Sequence, residues 1–113
     1  MGRSWREIEE YKVVLLAGED ADGAVAVVQL LCDGRIVGSC RFFPEERALP
    51  ANSQGSAVNL SFPISAYAEV VDLLRNEGPV FLYFDKKTGK GMLTTLAEPV
   101  GEGEQDPRRS NSG

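Results

Sequence analysis

Three lysines, Lys86, Lys87 and Lys90, crowd one short turn directly after Tyr83 and Phe84. Upstream, Arg35 and Arg41 share the segment RIVGSCRFF with Val37 and Phe43. Cations interleaved with rings on a sheet suit a single-stranded nucleic acid: the cations follow the phosphates and the rings stack on bases, at about 1–3 kcal/mol each. The same residues also serve plainer ends, since lysines at hairpin tips solubilise and arginines near sheet edges block strand addition. Arg35, Arg41, Phe43, Tyr83, Lys86, Lys87 and Lys90 are therefore candidates for contact with nucleic acid or with a protein partner.

Other chemistry is poorly supplied. The chain has no histidine, which removes the commonest general base and the commonest metal ligand. Gly89-Lys90-Gly91 lacks the strand-loop-helix setting of a phosphate loop, and no nucleophile-elbow spacing occurs. Glu19, Asp20 and Asp22 lack the spacing of a calcium loop and read as a solvated acidic turn. With only two cysteines, no zinc site is expected. The expectation is a non-catalytic protein without metal or cofactor.

Charge narrows the partners further. Seventeen carboxylates against twelve cations give a net charge of −5, which is no footprint for duplex nucleic acid or an anionic membrane. The acidity is uneven. Glu19, Asp20 and Asp22 fall in one loop, and Glu98, Glu102, Glu104 and Asp106 fall near the end, leaving Arg35–Ala97 close to neutral. No apolar run approaches the ~18–20 residues that span a bilayer. Met1–Lys12 is charged throughout and has no signal-peptide core. A cytoplasmic protein with reduced thiols is expected.

The elements that must position these residues follow from pattern. Residues 1–10 read as an N-terminal arm, 11–97 as one α+β domain, and 98–113 as a disordered acidic tail. Strands are expected over Tyr11–Ala17, Val25–Leu31, Arg35–Phe43, Ala57–Phe62, Val80–Phe84 and Met92–Ala97. The stripe Tyr67, Val70, Val71 and Leu74 predicts one helix over Ser65–Glu77, with Ser65 as N-cap and Asn76-Gly78-Pro79 as stop. The order β-β-β-β-α-β-β implies a curved, mostly antiparallel sheet packed on that helix. Pro44–Ser56 is a long polar loop, of the kind that is often functional or mobile.

The hairpin around Asp33-Gly34 carries the functional question. That dipeptide suits a two-residue type I′ turn, which sets Cys32 opposite Arg35 and Cys40 opposite Val27. In this register the two sulfurs point to opposite faces. Gln29, Leu31, Ile36 and Cys40 share one face; Val28, Leu30, Arg35, Val37, Arg41 and Phe43 share the other. Strands apolar on both sides need cover on both sides, and one helix covers one. Val28, Leu30 and Val37 are accordingly expected to meet a second subunit, making the chain a homodimeric assembly domain. Closure of the sheet into a barrel with a small-ligand interior is a further alternative.

The β-β-β-β-α order over Tyr11–Glu77 resembles the repeat unit of the Whirly and Pur-repeat single-stranded DNA-binding proteins. The resemblance is one of element order. It implies dimerisation through sheet and helix, with single-stranded nucleic acid on the sheet face.

Overall fold

The computed structural model describes residues 3–96, with side chains from Trp5 onward. It is an α+β protein with mostly antiparallel pairing and, among the described residues, a single α-helix. The strands are β1 (Arg3–Ile8), β2 (Glu10–Leu15), β3 (Ala26–Cys32), β4 (Arg35–Phe43), β5 (Ser53–Gln54), β6 (Val58–Pro63), β7 (Val80–Asp85) and β8 (Lys90–Thr95). A 3-10 turn, Ile64–Ala66, leads into α1, Tyr67–Asn76. Instead of one curved sheet there are two, both open: β1-β7-β8 and β2-β3-β4-β6-β5. The sheet therefore does not close into a barrel.

The second sheet exists because the N-terminal segment is not an arm. Arg3–Ile8 pairs antiparallel with β7, from Arg3↔Asp85 to Ile8↔Val80. One residue later the chain joins the other sheet, where β2 pairs with β3. Glu9 makes the switch: its N–H donates to the Leu31 carbonyl (2.9 Å) and its Oε1 accepts the Asp33 N–H (2.8 Å). The expected 98–113 tail lies outside the described residues.

The Asp33-Gly34 turn forms, with positive φ at both residues (56° and 75°) and Cys32 opposite Arg35. Two residues further the register slips. Leu31 pairs with Ile36 but Leu30 with Gly38, so Val37 is an extra residue, a β-bulge. Everything beyond it changes face relative to a regular hairpin. Cys40 pairs with Val28, and Arg41 with Val27. Both cysteines thus belong to the core side, Cys40 buried and Cys32 packed against its edge. They stay free, four residues apart along the strand direction, roughly 13 Å.

The bulge also puts Gly38 where the sheets meet. A Cβ at Gly38 would lie 2.5 Å from Leu82 Cδ2, and one at Gly91 would lie 2.3 Å from Leu60 Cδ2. These two bare backbones let β4 and β8 approach the side chains of the facing sheet. Ala26, Val28, Leu30, Cys40, Phe42 and Leu60 meet Leu82 and Phe84 in one core. The helix closes it with Val70 and Val71, and with Tyr67 edge-on to Phe42 at 5.2 Å.

This arrangement corrects the expected interface. Val28 and Leu30 are 0% exposed and Val37 8% within a single chain. Their cover is the chain's own second sheet, so no second subunit is needed to shield them.

The helix ends at Asn76, as the Gly78-Pro79 signal predicts, but Ser65 does not cap it. The Ser65 N–H instead donates to Glu45 Oε2 at 2.8 Å, which ties the polar loop to the 3-10 turn, while α1 starts after Ala66 with no side-chain cap. That loop also crosses the outer face of β4 and β6. Asn52 fastens it, accepting the Ser61 N–H (2.9 Å) and donating to the Gly89 carbonyl (3.1 Å).

Candidate functional site

The seven cationic and aromatic candidates fall into three places. Tyr83, Lys86, Lys87 and Lys90 belong to the β7–β8 hairpin; Arg41 and Phe43 line a cleft on the opposite sheet. Arg35 is exposed beside the Asp33-Gly34 turn and joins neither group.

On the three-stranded sheet, strand alternation sends Val80, Leu82 and Phe84 into the core and Phe81, Tyr83 and Asp85 outward. The register then sets Trp5 and Met92 on either side of Tyr83. Trp5 lies over Tyr83 with ring centroids 4.8 Å apart, tilted 57°, and meets Phe81 edge-on at 6.4 Å. Trp5 is nevertheless 58% exposed and Met92 38%. The result is an open aromatic face with Glu7 and Lys90 at opposite corners. Beyond Tyr83 the chain turns through Lys86 and Lys87, both exposed. The turn holds itself together: Asp85 accepts the Lys87 N–H (2.9 Å) and the Gly89 N–H (2.8 Å).

Sequence reasoning had Tyr83 and the lysines but missed Trp5, Phe81 and Met92. In RSWREI neither helical nor strand periodicity stands out, because Trp5 and Ile8 point to opposite sides and polar residues fill both. Only the pairing with β7 reveals the face.

The second place is a cleft of about 340 Å³ over the outer face of β4 and β6, between the 18–24 and 44–57 loops. Arg41 rises from its floor, bonded through Nη2 to Asp20 and, at 3.1 Å, to Asp22. Burial pushes the Asp20 carboxyl up, yet the N–H groups of Ala24 and Asp22 and the Arg41 cation outweigh it and hold the group below its ordinary range. Asn59, Ser53 and Ser61 supply neutral hydrogen-bonding groups. Asn59 Oδ1 accepts the Ser39 hydroxyl at 2.7 Å, which orients its amide. Phe43 is fully buried, so it packs the cleft rather than presenting a ring to a ligand.

Comparison with known proteins returns no matching family model, curated sequence or solved structure. Among the described residues no helix is long and apolar enough to cross a membrane. No cluster of three or more His, Cys, Asp or Glu there could hold a metal ion.

Proposed function

We propose that the chain is a non-catalytic, cytoplasmic interaction domain that pairs with a second copy of itself through the outer face of β1-β7-β8. The observation that supports this most is Trp5, more than half exposed on a sheet face it shares with Phe81, Tyr83 and Met92. Trp, Tyr and Phe, with Met and Arg, are enriched at the cores of protein interfaces, and Trp and Tyr are frequent hot spots. A two-fold axis through Tyr83, crossing the sheets near 90°, would set Met92 on the partner's Phe81. The same axis would set Glu7 on the partner's Lys90, so the patch complements itself in shape and in charge.

Three strands about 4.8 Å apart and six residues long offer roughly 300 Å² per copy, well below a stable interface. The pairing is accordingly weak and concentration-dependent. Sedimentation velocity from about 10 to 500 μM should show a monomer–dimer equilibrium, and Trp5→Ala should weaken it at least tenfold, the loss of one hot-spot residue. A strict monomer throughout that range, or an unchanged constant in the variant, refutes the reading.

The lysine turn favours a second reading, in which the same rings stack on a single-stranded nucleic acid in the Whirly- or Pur-like manner. Lys86, Lys87 and Lys90 lie at the end of the strand that carries Tyr83, where they can follow a phosphate backbone. Fluorescence anisotropy with a labelled oligonucleotide at low salt tests it, because phosphate contacts are strongest there. No binding at about 100 μM ends it.

A further inference from the structure

We propose that the cleft over β4 and β6 is a binding site for a small zwitterion of amino-acid type, its carboxylate on Arg41 and its ammonium on Asp22. The cleft's volume, about 340 Å³, is at the low end of the roughly 300–1,000 Å³ of small-molecule sites, which suits a ligand of few heavy atoms.

The charges select the class. Arg41 has two carboxylate partners of different character. Asp20 is held by two backbone N–H groups, and its side chain is 26% exposed. Asp22 touches Arg41 only at 3.1 Å and is 70% exposed. Asp20 therefore fixes the guanidinium, while the contact to Asp22 is the one that solvent already weakens. A plain anion reaching Arg41 would face both carboxylates uncompensated, and a plain cation would face Arg41. A zwitterion inserted between Arg41 and Asp22 satisfies both ends and leaves the local charge unchanged. A guanidinium has five donors in a planar fork, enough to keep Asp20 and take a second carboxylate. Asn59, Ser53 and Ser61 line the wall for a hydroxyl or amide on the ligand side chain. Asn52 fixes the loop that forms the rim. The cleft lies on the opposite sheet from the Trp5 face, so it stands or falls independently of self-pairing.

The test is an NMR titration of isotope-labelled full-length chain with glycine, L-alanine and L-serine, following the Arg41 Nε–Hε and the amides of Asn59 and Ser61. Acetate and ethylammonium are the single-charge controls. Saturable shifts confined to the cleft are expected with the amino acids, with the controls at least tenfold weaker. Asp22→Asn, at an exposed position that leaves the Arg41–Asp20 pair in place, should weaken amino-acid binding at least tenfold; Arg41→Gln should abolish it. No saturable shift with any amino acid overturns the proposal. So does equal binding of acetate, or affinity unchanged in Asp22→Asn. Should Arg41→Gln fail to fold, the Asp22→Asn comparison decides alone.

Discussion

Replacing Gly38 with alanine should lower the stability of the domain by about 0.5–2 kcal/mol, and the figure follows from where the sheets touch. The added Cβ would lie 2.5 Å from Leu82 Cδ2 and 3.0 Å from the Val58 carbonyl oxygen. The carbonyl belongs to the β4–β6 ladder and cannot retreat without breaking it. Leu82 is 1% exposed, so its methyl has nowhere open to go. Overpacking of this kind costs about 1–3 kcal/mol, offset by about 0.4–1 kcal/mol because alanine restricts the unfolded chain. For a domain of this size each kcal/mol shifts Tm by about 4–8 °C, so a fall of roughly 2–16 °C is expected. Urea and thermal unfolding followed by far-UV circular dichroism measure it. Gly55→Ala is the control: nothing lies within 4 Å of its Cβ position, so only the unfolded-state effect operates and stability should rise slightly. Leu82→Val in the Gly38→Ala background should recover part of the loss, showing coupling between the two positions. A Gly38→Ala variant as stable as Gly55→Ala would mean that the sheets do not meet at Gly38.

Acid should weaken the fold through two carboxylates that the native state depresses. Ser65 donors hold Glu45, and backbone N–H groups with Arg41 hold Asp20. A lowered folded pKa gives stability that is present above the unfolded value, near 4, and is lost as pH falls through the folded one. The stability gap between wild type and Asp20→Asn should therefore be widest near neutral pH and narrow as the pH falls below the ordinary carboxylate range, as read by urea midpoints across pH. A gap that stays constant would contradict it. Burial pushes the Cys40 thiol up to about 12, so iodoacetamide at pH 8 should label it only when the chain opens. The half-buried Cys32 should react in the native state, slowly, because partial burial and nearby Glu9 raise its pKa too. Mass spectrometry of timed samples separates the two; rapid native labelling of Cys40 would refute its placement.

Much of the fold was legible because it is written in short range. The Asp33-Gly34 turn needs two residues at positive φ, and that dipeptide tolerates them. The helix ends where Gly78-Pro79 forbids another turn, and Val58, Leu60 and the helix stripe alternate as their periods demand. What escaped is set by distant partners. A residue-by-residue pattern cannot register the extra residue at Val37, yet that bulge moved Cys40 to the core side and Arg41 and Phe43 to the outer one. Ser65, the expected cap, sits instead inside a 3-10 turn where its N–H is held by Glu45, twenty residues upstream, and α1 has no side-chain cap. Of the candidate sites, the lysine turn and Arg41 were visible as charges. Their companions were not: Trp5 reaches Tyr83, and Asp20 and Asp22 reach Arg41, only through the fold.

Among the described residues, edge strand β2 also exposes apolar side chains, and charge separates the face we assign to pairing from that edge. Edge strand β2 exposes Leu15 (70%) and Val13 (36%), and an edge with apolar side chains invites another strand. Glu9, Glu10 and Lys12 interrupt that edge with exposed charges, the usual guard against strand addition. The Trp5 face has no such interruption at its centre; Asp85 stands at the end of β7, and Glu7 and Lys90 stand at opposite corners, where a two-fold contact can pair them. Leu15→Lys should therefore leave the monomer–dimer equilibrium within about twofold of wild type while Trp5→Ala weakens it at least tenfold. The reverse result would move the interface to the β2 edge.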